Sequence, residues 1–252
     1  MSKESGLGDN LYVGGYDLSG DIGSLSAIGG GPTALDVTGI NASGYERIGG
    51  VRDGRIEYSS FFNPVAGRAH PVLSALPTTD VHLMYCRGTT QGNQAACLVS
   101  KQINYDPNRS TDGALTFGVQ AQANGYGLEW AWLMTAGKRT DTGATNGTGI
   151  GGLWAQTDFG LQAYLQVFSF AGTDVTISFE ESSDNGSGDA WAAVTGGAFT
   201  EVTAGPTTER IQTARDQTIE QYLRVVTSTT GGFTSCVFAV AVVRNYTEVL
   251  FG

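Results

Sequence analysis

The sequence predicts a mainly β protein. Its 252 residues include 37 glycines, and only 15% are charged. That composition is typical of many short strands joined by tight turns, because glycine readily takes the positive φ angles that such turns need. Apolar and polar residues also alternate along several segments, most regularly from Leu115 to Ala121. A period of two places one face of a strand against a core and leaves the other face for solvent or a partner.

The first half of the chain combines strands with one short helix. The alternation predicts strands over residues 56–62, 81–85 and 115–121. Between the first two, apolar residues are spaced as on one face of a helix, with a proline suited to the first helical turn and another just past the end. The spacing predicts a single helix over residues 71–76.

The second half reads as a separate antiparallel sandwich. Residues 138–152 are small, polar and glycine-rich, which predicts a linker or a long loop. Beyond it, glycine-containing turns separate strands predicted over residues 161–170, 175–179, 222–227 and 233–244. Residues 237–243 are apolar on both faces, so that strand should be central in its sheet. We therefore expect one β domain over residues 1–150 and a second, Ig-like β-sandwich over residues 153–252.

Charge, cysteine content and hydropathy restrict the function. The net charge of −10 opposes binding to nucleic-acid phosphates, which depends on Lys and Arg. Three cysteines, at positions 86, 97 and 236, lie in or beside apolar runs without metal-ligand spacing, so we expect buried thiols made in a reducing cytoplasm. No segment approaches the roughly 20 apolar residues of a membrane helix, and the first residues have no signal-peptide pattern. We expect a soluble protein without a membrane partner.

No motif in the chain predicts catalysis, a cofactor or a metal. Residues 147–152 match G-x-G-x-x-G, but no βαβ pattern surrounds them. Residues 106–113 space oxygen ligands as a calcium loop does, yet Phe117 stands where the bidentate Glu belongs, so a hairpin turn is favoured. His70 and His82 are the only imidazoles, and no nucleophile elbow accompanies them. The sequence therefore predicts a protein that is not an enzyme.

The first half nevertheless resembles a known family. An Asp-Leu-Ser segment at residues 17–19 precedes Leu35-Asp36-Val37-Thr38, a turn at Gly49-Gly50-Val51-Arg52-Asp53-Gly54 and the alternating strand at 56–62. This order is similar to the opening of the major tail (tail tube) proteins of long-tailed bacteriophages. The resemblance continues through residues 70–81 and 112–121, and covers about residues 9–135. It implies a β-sandwich or barrel with one short helix on its flank.

The same resemblance implies a role in the virion tail. Such proteins form hexameric rings that stack into a tube, contact other tail proteins and let DNA pass without specific binding. By this analogy the glycine-rich residues 26–50 are a loop that reaches the adjacent ring, and its contact candidates are Asp36, Thr38, Tyr45, Glu46 and Arg47. Asp53 and Glu57 are candidates for an acidic lumen that repels DNA. The second sandwich is expected on the outside of the tube.

A second interpretation is an accessory virion protein that binds a host-surface glycan. Trp154 and Trp191 in the second half could stack on sugars if they are exposed. The competing expectation is that both tryptophans belong to the core.

Overall fold

The computed structural model describes residues 5–152 and 154–248. It is mainly β, with antiparallel strands and one short helix, which confirms the predicted fold class. The helix α1 is Ala69–Leu73. The strands of the described part, in chain order, are β1 Asn10–Val13, β2 Tyr16–Asp17, β3 Ile22–Asp36, β4 Arg47–Phe61, β5 Val81–Cys86, β6 Gln94–Gln102, β7 Asp106–Arg109, β8 Leu115–Ala123, β9 Glu129–Leu133, β10 Arg139–Asp141, β11 Thr145–Asn146, β12 Leu161–Gly172, β13 Thr176–Ser182, β14 Ala192–Ala198, β15 Thr207–Gln212, β16 Tyr222–Ser228 and β17 Phe233–Arg244.

The chain divides into two compact units that are both discontinuous in sequence. Unit 1 comprises residues 1–20, 82–97 and 130–252, and unit 2 comprises residues 21–81 and 98–129. The domains predicted from the sequence, residues 1–150 and 153–252, do not coincide with these two units. That division stays a prediction.

Unit 1 contains a two-sheet antiparallel sandwich. One sheet places β17 between β12 and β9, and the other has the order β11-β16-β13-β14. Alternate residues of β12 and β17 face those of β13 and β16 in a core that includes Leu165, Val240, Phe179 and Leu223, all at most 1% exposed. β17 has the bounds that the sequence predicts and is paired on both sides, which confirms its central position.

The segment predicted as a linker, residues 138–152, contains two short strands that pair within unit 1. β10 pairs with β17, and β11 pairs with β16. Arg139 holds this segment in place. Its guanidinium binds both carboxylate oxygens of Asp141 at 2.7 and 2.8 Å and donates to the carbonyl of Val225 at 2.8 Å. Thr227 also donates its hydroxyl to Asp141. The polar, glycine-rich composition of this segment gave no sign of these contacts in the sequence.

Asp174 organises a turn of unit 1. Its buried side chain accepts hydrogen bonds from the amides of Thr230 at 2.7 Å and Gly231 at 2.5 Å, and from the hydroxyl of Thr229 at 3.0 Å. These bonds, chiefly the one from the Thr230 amide, hold the pKa of Asp174 below its ordinary value. The ionised carboxylate therefore stabilises the folded turn.

Unit 2 is organised around β4. β3 pairs with β4 along its length, and β4 pairs on its other side with β8 between Arg55 and Phe61. Ile56 and Tyr58 lie on the buried face of β4. The short helix α1 is anchored by Asp21, which accepts from the amide of Ala69 at 3.1 Å and from Asn63 at 2.8 Å.

The helix differs slightly from the predicted residues 71–76. It begins two residues earlier, and Pro71 is still in its first turn, where a missing N–H costs nothing. It ends before Leu76, whose φ of 43° is incompatible with a continuing α-helix.

The predicted cysteine chemistry is confirmed. Cys86, Cys97 and Cys236 are buried and form no disulfide. Burial raises the pKa of the Cys86 and Cys236 thiols, so both stay protonated and unreactive near neutral pH.

Candidate functional site

The outer half of the β3–β4 hairpin of unit 2 is mostly exposed. β8 pairs with β4 only between Arg55 and Phe61. Beyond Arg55, towards the loop, β3 and β4 pair only with each other within the described residues. We call residues 30–54 the arm. At about 3.3 Å per residue, the stretch from Gly30 to Asp36 extends roughly 20 Å. Both outer edges of the arm therefore present backbone groups that a further strand could pair with.

This geometry corrects the expectation for residues 26–50. Most of that segment is antiparallel strand, with Leu35 opposite Ile48 and Asp36 opposite Arg47. The register shifts between Leu25 and Ala27 and between Pro32 and Ala34. Its many glycines and one proline suggested irregular structure, but each strand supplies the other's hydrogen bonds. Only residues 37–46 form the connecting loop.

Two glycines at the root of the arm allow another backbone to cross it. Gly30 and Gly54 pair across the hairpin. A Cβ atom on Gly54 would lie 2.4 Å from the backbone nitrogen of Leu128, and one on Gly30 would lie 2.9 Å from the Leu128 Cβ. The segment that carries Leu128 thus packs directly on the glycine pair and fixes the point from which the arm extends.

The five candidate contact residues lie together at the tip of the arm. The Asp36 carboxylate accepts from the amide of Thr38 at 2.9 Å and from its hydroxyl at 2.5 Å, and these bonds lower the pKa of Asp36. Thr38 accepts from the amide of Glu46 at 2.9 Å. The guanidinium of Arg47 lies 4.6 Å from the ring centre of Tyr45. Asp36 and Thr38 therefore shape the tip, while Tyr45, Glu46 and Arg47 present side chains to the outside.

The arm exposes several large apolar side chains, of which only Tyr45 was among the contact candidates. Six large ones are at least 47% exposed, and Ile40 and Val51 are the most exposed of them; the others are Leu35, Val37, Tyr45 and Ile48. A cluster of this kind marks an interaction surface, because water-exposed apolar area is unfavourable. The sequence did contain a sign of this surface, because apolar residues recur through the glycine-rich segment.

The two candidate lumen residues share one face of β4. Asp53 and Glu57 are four residues apart in a strand, so both project to the side opposite the buried Gly54 and Ile56. Arg55 lies between them on the same face, with its Nε 3.3 Å from a Glu57 oxygen, and Gln120 contacts the same oxygen at 3.3 Å. The face is polar and contains both signs of charge.

Neither candidate tryptophan is an open stacking platform. Trp154 is half-buried against the core of unit 1, and the guanidinium of Arg244 lies 5.1 Å from its ring centre. Trp191 is half-buried too, with the guanidinium of Arg224 at 4.6 Å. Arg224 is in turn bound to Glu180 at 2.6 Å. Neither ring is therefore exposed in the way that the glycan interpretation requires, and neither is fully buried.

The remaining motifs have structural roles. Gly147 and Ile150 of the glycine-rich motif donate their amides to β16. Residues 106–113 form a strand and turn that pair with β8, as favoured by the sequence. His70 contacts the hydroxyl of Tyr105 at 3.2 Å, and His82 contacts that of Thr208 at 2.9 Å. Among the residues that the structure describes, no group of three His, Cys, Asp or Glu side chains could hold a metal ion.

Within the same described part, no helix has the length and apolar character needed to span a membrane.

Comparisons with known proteins give weak structural likenesses only. No protein-family model and no curated protein matches the chain. A chain in the virion of a native gene transfer agent particle has a TM-score of 0.42 at 12% identity, covering 51% of this chain and 98% of that one. The SPP1 Dit protein, whose structure is described as a paradigm of the hub adsorption apparatus of phages that infect Gram-positive hosts, has a TM-score of 0.34 at 12% identity, covering 94% and 99%.

A third likeness is to a chain of the phage p2 baseplate in its activated conformation, with a TM-score of 0.35 at 10% identity, covering 96% of this chain and 99% of that one. All three solved structures are parts of phage or phage-like particles. At these TM-scores and identities the likenesses establish neither a shared family nor a shared function.

Proposed function

We propose that this protein is a structural component of a phage tail, and that it assembles into hexameric rings that stack as a tail tube. The observation that carries the proposal is the arm, a rooted two-stranded hairpin with unpaired outer edges in the described part and six exposed large apolar side chains. A monomer gains nothing from exposing such a surface, whereas an assembly buries it.

The resemblance of residues 9–135 to tail tube proteins supports the same role. The arm occupies the segment that the resemblance assigns to contacts between rings, and its tip contains all five candidate residues. Backbone edges suit pairing with strands of neighbouring copies, which joins subunits without a large preformed pocket.

The acidic character of the chain supports a conduit. The net charge of −10 repels nucleic-acid phosphate. In the proposed tube the β4 face with Asp53 and Glu57 lines the lumen, and DNA passes without specific binding. The protein is made in the host cytoplasm and functions in the virion, together with other tail proteins.

Electron microscopy of the purified full chain tests the proposal directly. We expect rings or stacked rings in negative stain, and assemblies of several subunits in sedimentation velocity. A protein that remains monomeric up to high concentration, and that is absent from virion tails, contradicts it.

A variant with a shortened arm provides the matched comparison. Residues 32–52 are replaced by an Asn-Gly turn, which suits a two-residue hairpin between the paired Gly31 and Asp53. We expect this variant to keep the cooperative unfolding and thermal stability of the parent but to form no rings. Assembly equal to that of the parent excludes the arm as the assembly element.

A further inference from the structure

Unit 2 carries a second exposed apolar surface at the opposite end of β4. Phe62 is 43% exposed, and its ring centre lies 4.7 Å from that of His70 and 5.9 Å from that of Phe117. Tyr105 stacks on Phe117 at 4.2 Å and lies 5.8 Å from His70. We call Phe62, His70 and Tyr105, with Phe117 beneath them, the aromatic patch. Val65, in the turn that follows Phe62, is 61% exposed.

The tip of the arm cannot cover this patch in the same molecule. β4 is 15 residues long, with Arg47 at the tip and Phe61 beside the patch. At about 3.3 Å per residue, the strand separates the two surfaces by roughly 50 Å. A continuous strand of this kind does not fold back on itself, so a contact between the tip and the patch would have to join two molecules.

Each surface has an exposed charge that is opposite in sign to a charge near the other surface. Glu46 lies at the tip of the arm, and Arg68 lies in the turn before α1, two residues from His70. Both residues are exposed, and neither makes an ion pair within residues 5–152 and 154–248. Opposite charges at the rim of an interface favour one partner and one orientation.

We propose that the tip of the arm of one copy packs on the aromatic patch of a second copy, with Glu46 facing Arg68. This inference rests on the proposed function and names the surface that receives the arm. The contact joins different surfaces of the two copies, so each added copy leaves one tip and one patch unoccupied. Such a heterologous contact repeats in one direction and builds a linear stack.

Charge reversal tests the contact. Glu46→Arg places two cations opposite each other, and Arg68→Glu places two anions there. We expect each single variant to fold as the parent does but to need about a tenfold higher concentration for assembly, since juxtaposed like charges disfavour association. The double variant restores the pair in reversed order and should assemble within about threefold of the parent concentration.

Failure of this contact is distinguishable from failure of the proposed function. One outcome is a parent protein that forms tubes while the double variant needs as high a concentration for assembly as the single variants. That result overturns the contact and leaves the tube proposal intact. A parent protein that never assembles overturns both.

Disulfide trapping gives an independent measurement. Tyr45→Cys and Val65→Cys in one chain should yield a ladder of cross-linked multimers on mild oxidation of the assembled protein, because one residue lies on the tip and the other beside the patch. Tyr45→Cys with Ser187→Cys is the matched control, since Ser187 is exposed in unit 1. The native cysteines are buried and do not interfere. A ladder equal to that of the control pair, in protein that assembles, overturns the contact.

Discussion

The root of the arm gives the sharpest prediction about the fold. Gly54→Ala adds a Cβ atom 2.4 Å from the Leu128 nitrogen and 2.8 Å from its Cβ. Ordinary contacts of this type begin near 3.4 Å, so the backbone of Leu128 or of β4 must move by about 1 Å. Gly54 is buried within β4, and rotation of a side chain cannot remove a clash with a backbone nitrogen.

The expected destabilisation is about 1–3 kcal/mol, the usual cost of overpacking a closely packed site. At about 2–4 °C per kcal/mol for a chain of this size, the Tm should fall by roughly 2–12 °C. Thermal unfolding followed by circular dichroism, together with the urea midpoint, measures the effect.

Gly29→Ala is the matched control in the same hairpin. No atom lies within 4 Å of a Cβ built on Gly29, and its φ is not in the left-handed region. The substitution should be neutral or stabilise by up to about 1 kcal/mol, because alanine restricts the unfolded chain. Equal Tm values for the two variants, or a Gly54→Ala variant more stable than the parent, would refute the close crossing of Leu128 over the hairpin.

Three further predictions concern unit 1. Phe179→Ala removes a fully buried ring from between the two sheets and should cost about 3–5 kcal/mol in urea unfolding; a loss below about 1 kcal/mol contradicts that position. Asp174→Asn should lower the Tm at neutral pH, and the difference from the parent should shrink as the pH falls below about 4. The reason is that a carboxylate with a lowered folded-state pKa stabilises above its unfolded pKa and loses that contribution on protonation; a difference independent of pH contradicts it. Arg139→Lys cannot keep both bonds to Asp141 and should destabilise by about 1–3 kcal/mol, whereas Arg109→Lys, at an exposed position, should have no measurable effect.

The strands were predictable where alternation or continuous apolar character was strong. The strand predicted over residues 233–244 has the same bounds as β17, since its burial on both faces required an apolar run. The arm was predicted as a loop because seven of residues 30–54 are glycines, which carry no hydrophobic signal. Four of these glycines, Gly30, Gly31, Gly49 and Gly54, nevertheless pair across the hairpin. Strand pairing is made by backbone groups, which are the same for every residue except proline. A pattern of side chains therefore does not reveal such pairing.

Contacts distant in sequence account for the other differences. Nothing local indicates that Leu128 crosses Gly30 and Gly54, or that Arg139 binds the carbonyl of Val225. The candidate residues at the tip came from the family resemblance, and the structure brings them together. The exposed apolar residues and the aromatic patch required knowledge of which side chains remain uncovered after folding.

The order of strand pairing has a consequence for synthesis on the ribosome. β3 and β4 are consecutive and can pair as soon as both have emerged, whereas Leu133 of β9 must wait for Ala241 of β17. Long-range pairing of this kind folds slowly. The apolar arm is therefore complete on a nascent chain whose larger unit is unfinished, at a time when neighbouring chains on one messenger RNA are close. For the assembly proposed above, premature arm contacts between such chains are a hazard.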